Sequence, residues 1–181
     1  MRQTENRILL LLSICFLAGG ILGCLAEICW LGEASAERYL MEMTNEGIPG
    51  PVLWRELWII LRWPVFALAA AGLPLSRLTV PVLFCLRGLF LSWGISAFMT
   101  SGSGAGKLAG VLIFGPTCLL ALPVFFLLGV EGLRKKTEDV KSSAWLRRAM
   151  VSIPLLILCV TLDWRVTPAL LSVLLKLNAF S

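Results

Sequence analysis

A glycine-rich stretch with one lysine, TSGSGAGKLAG (residues 100–110), is the part of the sequence that most suggests phosphate chemistry. A nucleotide-binding loop of the form G-x-x-x-x-G-K-[ST] lies between a strand and a helix and places its last hydroxyl on Mg²⁺. Here Ser101 stands in place of the first glycine, and Leu108 stands in place of the hydroxyl residue. Long apolar runs flank the stretch on both sides. We therefore interpret it as a short flexible turn between two helices, with Lys107 near the lipid headgroups.

The residue types available restrict the chemistry further. The 181-residue chain contains no histidine, which is the commonest general base and metal ligand. Its six cysteines form no C-x-x-C pair and five of them lie in apolar runs, which is typical of small packing residues. No convincing pair of base and nucleophile is present. The sequence thus predicts no catalytic residue, no metal site and no cofactor, and we do not expect an enzyme.

Composition shows which elements must position any functional group. The chain is 58% hydrophobic and only 15% charged, and its mean hydropathy is +0.87. The apolar residues form blocks of about twenty, the length that crosses about 30 Å of hydrocarbon. The net charge of +5 comes mostly from residues that flank these blocks, so nucleic-acid binding is not expected. The lipid bilayer is the expected surrounding.

Five blocks predict an all-α bundle of about five transmembrane helices in a single domain. The predicted spans are residues 8–28, 53–75, 78–100, 108–130 and 149–168, with an extracytoplasmic loop at 31–53 and a basic cytoplasmic loop at 131–148. Trp54, Trp58 and Trp63 have the spacing of an aromatic belt at the membrane surface. Five spans place the termini on opposite sides. Because nine Lys and Arg fall on the side of the N-terminus and five on the other, the positive-inside rule predicts an N-in, C-out arrangement.

Two segments allow more than one interpretation. The first apolar run could be a secretory signal peptide, or a lipoprotein signal that ends at Cys24, but its length of about twenty residues favours an uncleaved helix. The tail, residues 163–181, could extend the fifth helix beyond a kink at Pro168 or could lie along the membrane surface.

Five short motifs, in order along most of the chain, resemble the stage II sporulation protein M family of bacterial membrane proteins. They are GGILG (residues 19–23), GLP (72–74), LRGLFLSWG (86–94), PTCLLALP (116–123) and TPALL (167–171). The resemblance implies a non-enzymatic protein of the septal membrane that acts in engulfment of the forespore. It also implies a scaffold that recruits and holds two peptidoglycan-degrading partners, the D and P proteins of the same stage.

Charged side chains inside the predicted spans are the first candidates for function, because they are costly there. Arg87 lies roughly 14 Å deep at 1.5 Å per residue, and Arg62 is similarly deep from the opposite surface. Glu27 and Asp163 lie near the outer ends of the first and fifth spans. We expect Arg62 to pair with Glu27 or Asp163 and Arg87 to line a polar cavity. The alternative is that both arginines extend to the headgroups along their stems.

Small residues and prolines form the second group of candidates. Gly19 and Gly23, and likewise Gly88 and Ser92, are four residues apart and so share a helix face that permits close approach of two backbones. These faces predict packing within the chain or, as the alternative, contact with another subunit. Pro116 and Pro123 belong to the same group, as breaks in the fourth helix that packing or a partner could use.

The extracytoplasmic loop is the third candidate, with Tyr39, Leu40 and Met43 as anchors for a partner outside the membrane. The alternative is an amphipathic helix that rests on the headgroups. Taken together, the sequence favours a scaffold subunit of a cell-wall-remodelling complex. A permease-like or channel subunit is the alternative, because transporters also use proline-broken helices and intramembrane charges.

Overall fold

The computed structural model describes residues 2–30, 53–73, 75–100, 104–138 and 142–179. Within these ranges the regular structure is helical and contains no strand, which confirms the predicted all-α class. The helices are α1 (Arg2–Trp30), α2 (Leu53–Gly72), α3 (Ser76–Thr100), α4 (Gly104–Pro116), α5 (Leu122–Glu138), α6 (Ser142–Thr161) and α7 (Thr167–Ala179). A first π segment (Thr117–Ala121) joins α4 to α5, and a second π segment (Leu162–Val166) joins α6 to α7.

Four helical stretches are long and apolar enough to cross a membrane, so the chain is a multi-pass membrane protein. They are Thr4–Cys29, Ser76–Thr100, Gly106–Arg134 and Ser152–Leu174. The apolar part of α2, Leu57–Gly72, is shorter and covers roughly 24 Å at 1.5 Å per residue. The predicted N-in, C-out arrangement requires α2 to cross the bilayer as the fifth span, because four spans alone would place the two termini on the same side.

Two predicted boundaries differ from the structure, and the tail agrees with one of its two interpretations. The glycine-rich turn is shorter than expected, since α4 begins at Gly104 and includes Lys107. The predicted loop at 131–148 is largely helical, because α5 continues to Glu138 and α6 begins at Ser142. Lysine, arginine and glutamate are good helix formers, so a helix continues easily beyond the apolar core. The tail follows the first of its two interpretations, as one continuous helix through the second π segment to Ala179.

Both π segments have the same register relative to a proline. Pro123 and Pro168 each lie two residues beyond the end of a π segment, at Ala121 and at Val166. The ring of a helical proline meets the carbonyl group four residues earlier, and in both cases that carbonyl belongs to the third residue of the π segment. A wider turn moves this carbonyl away from the ring, so each π segment is compatible with the proline that follows it.

The helices enclose three groups of buried apolar residues. The first joins α1, α2, α3 and α5 around Leu12, Trp63, Phe84 and Phe125. The second joins α2, the first π segment, α5 and α6, and the third joins α3, α4 and α7. In the first group the rings of Phe84 and Phe125 stack with their centroids 4.1 Å apart. Phe84 thus places an aromatic ring of α3 directly against α5.

Candidate functional site

Small residues set the contact between α1 and α3. A Cβ atom added to Gly19 would overlap the main-chain carbonyl of Cys85, and one added to Gly23 would overlap that of Leu89. The relation is reciprocal, because a Cβ atom on Gly88 would overlap the carbonyl of Phe16. The two backbones are therefore in direct contact. The structure places these glycines in packing within the chain.

Ser92 extends the same contact by one turn. A Cβ atom on Gly20 would lie 2.9 Å from the Ser92 Oγ atom, so the serine hydroxyl occupies the space that a larger residue on α1 would need. Close approach of this kind is how helices associate in lipid, where apolar surface alone gives no preference for protein over acyl chains.

A buried carboxylate and an indole join α1 to α3 beyond the glycines. Glu27 is 1% exposed, and its Oε2 atom accepts a hydrogen bond of 2.6 Å from the Trp93 Nε1–H group. Glu27, predicted as a partner of Arg62, thus belongs to the α1–α3 contact.

A second polar link lies near the other end of α1 and was not predicted. Arg134 in α5 forms an ion pair and hydrogen bond with the Glu5 carboxylate, and its Nη1 atom lies 3.6 Å from Glu131 Oε1. Arg134 and Glu131 are 6% and 5% exposed. The sequence offered no local signal for this link, because Glu5 and Arg134 are far apart in the chain. Arg134 had been interpreted only as part of a basic loop.

Two arginines gather around one buried indole between α2 and α3. The guanidinium carbon of Arg62 lies 5.8 Å from the centroid of the Trp63 ring, and that of Arg87 lies 5.0 Å from the same ring. Trp63 is 9% exposed. Its Nε1 atom and the Nε atom of Arg62 are buried, and neither has a hydrogen-bond partner in the part of the chain that the structure describes.

The predicted pairing of Arg62 is therefore not formed. Among the described residues Arg62 has no ion pair with Glu27 or Asp163. The reason is geometric: Glu27 faces α3 and Trp93, while Asp163 lies in the second π segment, where its Oδ1 atom accepts a hydrogen bond of 3.4 Å from Thr167.

Trp63, predicted to lie at the membrane surface, is instead a core residue. Trp54 and Trp58 are exposed, as an aromatic belt requires.

The first π segment lies close to Arg87. Arg87 is within electrostatic range of Arg62, of Cys118 in the first π segment and of Cys159 in α6. Cys159 is fully buried, and its Sγ–H group donates a hydrogen bond of 3.6 Å to the carbonyl oxygen of Pro116. Pro116 thus has a defined contact in the chain. Pro123 lies two residues beyond the end of the first π segment.

A separate groove of about 320 Å³ lies between α2, α5 and α6. Its lining is almost wholly apolar and does not include Arg87, so it is not the polar cavity predicted for that residue. Among the described residues no group of three or more Cys, Asp or Glu could hold a metal ion. Tyr39, Leu40 and Met43 lie outside the described residues, so the predicted partner loop has no structural outcome.

Fold and site together define an all-α, multi-pass membrane protein with two partly buried arginines around a buried tryptophan. Comparison with protein-family models, with curated proteins and with solved structures finds no match.

Proposed function

We propose that this protein is a non-enzymatic membrane scaffold that holds partner proteins of a septal peptidoglycan-remodelling complex during forespore engulfment. The observation that carries the proposal is the way α1 is held. Glu5 ties one end of α1 to α5, Glu27 ties the other end to α3, and the glycine contacts fix the region between them. A helix fixed in this way presents its opposite side in one orientation.

The opposite side of α1 is a continuous stripe of exposed large apolar residues. We name it the α1 stripe; it consists of Leu10, Ile14, Leu17, Ile21 and Ile28, which are between 55% and 70% exposed. Successive spacings of four, three, four and seven residues keep these side chains on one face of the helix. Lipid covers such a face in an isolated subunit, and a partner helix with a complementary surface can replace the lipid.

The more specific part of the proposal rests on the family resemblance. The resemblance supplies the septal membrane as the location and the stage II D and P cell-wall hydrolases as the partners. Each partner needs only one membrane-embedded helix to contact the α1 stripe.

Co-purification from membranes of the source organism tests this function. We expect the tagged full-length protein to retain the D and P hydrolases, identified by mass spectrometry, and the Leu17→Ala/Ile21→Ala variant to lose most of them. The matched control is Leu119→Ala, since Leu119 is 76% exposed but lies on the first π segment. Capture of neither hydrolase, or equal capture by both variants, would count against the scaffold.

A second candidate is a permease-like membrane subunit. It is favoured by the two arginines around Trp63 and by the first π segment, which lies close to Arg87, because transporters place charges and interrupted helices in the middle of the membrane. The same co-purification separates the two candidates, since a permease subunit would retain an ATPase in place of wall hydrolases.

A further inference from the structure

From the donors gathered around Trp63, we propose that Arg62, Trp63 and Arg87 form a binding site for a phosphate group inside the membrane. The inference does not depend on the scaffold function. It starts from charge, because two guanidinium groups share a single aromatic ring and have no carboxylate partner among the described residues.

The depth of the site makes this arrangement costly without a ligand. Arg62 lies ten residues before the end of α2 at Gly72, and Arg87 lies eleven residues after the start of α3 at Ser76. At 1.5 Å per residue, both Cα atoms are roughly 15 Å from the short connection between these helices, about half the thickness of the hydrocarbon layer. Charged groups at this depth are normally paired or line a polar path.

The side chains converge on Trp63, which argues against extension to the headgroups. A snorkelling arginine directs its guanidinium along the helix toward the nearer surface. Here both guanidinium carbons lie within 6 Å of one ring centroid, at 5.8 and 5.0 Å. The cation–π contacts offset part of the cost. They also bring two like charges together, an arrangement that an anion between them would stabilise.

Unpartnered donors provide a second, independent observation. The Trp63 indole is more than nine-tenths buried, and its N–H group has no acceptor among the described residues. The Nε atom of Arg62 is also buried and also lacks an acceptor there. Buried donors without an acceptor are rare and costly. Two neighbouring donors, the Arg62 Nε–H and Trp63 Nε1–H groups, thus lack an acceptor among the described residues, and the Arg87 guanidinium lies over the same indole.

The chemistry of the donors selects the ligand class. Guanidinium groups present parallel N–H donors that match the oxygen atoms of a phosphate, and two of them balance up to two negative charges. Phe66 and Phe90 contact the Trp63 ring and are 46% and 51% exposed, so they form an apolar margin beside the site. The phosphate could be free in solution or belong to a lipid headgroup that has left the interface, and the experiment distinguishes these sources.

Thermal unfolding of the purified full-length protein tests the site in two arms. One arm adds sodium phosphate to the delipidated protein in neutral detergent, against sodium chloride at equal ionic strength. The other adds phosphatidylglycerol to the delipidated protein in the same detergent, against diacylglycerol, which has the same acyl chains but no phosphate group. We expect the midpoint of the wild-type protein to rise by roughly 2–4 °C in at least one arm. A rise in the phosphatidylglycerol arm alone would identify a lipid headgroup, and a rise with inorganic phosphate would identify the free anion.

Substitutions separate a binding site from a structural contact. Arg62→Gln and Arg87→Gln should each abolish most of the rise, and Trp63→Phe should reduce it. Without any added anion, both glutamine variants should be at least as stable as the wild type, because each removes an uncompensated charge. The control is Arg165→Gln, since Arg165 is exposed and stacks on Trp164. No rise in either arm, or glutamine variants that are less stable without anion, would overturn the proposal.

Discussion

The two sides of α3 meet their neighbours in opposite ways. Toward α1, Gly88 brings the backbones into contact and Trp93 donates to the buried Glu27 carboxylate. Toward α2, Arg87 lies over the Trp63 ring, and Trp63 retains an N–H group without an acceptor among the described residues. In lipid, a helix contact is stabilised by close packing and by paired polar groups. The first side satisfies both conditions, and the second leaves donors for a ligand.

This difference predicts that the α1 side is sensitive to added volume. We expect Gly88→Ala to lower the free energy of unfolding by about 3 kcal/mol or more, because a Cβ atom would overlap the main-chain carbonyl of Phe16, which cannot rotate away. SDS titration of the protein in mixed micelles measures this change. The control is Gly115→Ala, where a Cβ atom would meet nothing within 4 Å. It should differ from the wild type by less than about 1 kcal/mol. Equal effects of the two substitutions would show that α1 and α3 are not in direct contact.

The packing of α1 on α3 is the part of the structure that is most easily predicted from the sequence. Glycines four residues apart indicate a helix face that approaches another backbone, and hydropathy indicates where helices cross. The partners of the charged residues could not be predicted in this way. Glu27 lies on α1, and only the packing of α1 on α3 decides that Trp93, and not Arg62, reaches it.

The core position of Trp63 could have been found from the sequence. Trp63 lies five residues, or about 7.5 Å, further along the helix than Trp58 and is rotated from it by about 140°, so it is too deep for the surface belt of Trp54 and Trp58. The common register of Pro123 and Pro168 with the two π segments is not a sufficient signal, because Pro64 and Pro154 lie inside helices and have no π segment directly before them. The link between Glu5 and Arg134 has no such signal, because many acidic and basic residues could have been paired.

Breaking the ion pair between Glu5 and Arg134 should cause the second-largest loss of stability on the α1 side. We expect Glu5→Gln to cost about 2 kcal/mol, since it leaves the buried Arg134 with a weaker set of partners. A double-mutant cycle with Arg134→Gln should give a coupling energy of about 1–2 kcal/mol. Arg7→Gln is the control, because Arg7 is exposed, and it should change stability by less than about 0.5 kcal/mol. A coupling energy near zero would mean that α1 is held at Glu27 and by its glycines only.

The hydrogen bond from Trp93 to Glu27 should contribute less to the free energy of unfolding than the Glu5–Arg134 ion pair. Trp93→Phe removes the donor to Glu27 and keeps most of the aromatic volume, so we expect a loss of about 1–2 kcal/mol. Trp58→Phe, at a position that is 55% exposed, is the matched control for the change of ring and should lose less than about 0.5 kcal/mol. If both substitutions cost the same, the ring and not the hydrogen bond stabilises this end of α1.

Substitutions near the first π segment should change the free energy of unfolding least. In this respect the region differs from the contact between α1 and α3. Cys159 donates to the Pro116 carbonyl at 3.6 Å, but a thiol is a weak donor, and interhelical hydrogen bonds in membranes average about 0.6 kcal/mol. We expect Cys159→Ala to cost about 1 kcal/mol, in part through the lost volume of a fully buried side chain. Cys159→Ser keeps a donor at the same position and should therefore lie closer to the wild type. The same SDS titration measures both variants. A loss above about 3 kcal/mol for Cys159→Ala would show instead that α4 and α6 are held as firmly as α1 and α3, and the contrast between the two sides of the bundle would disappear.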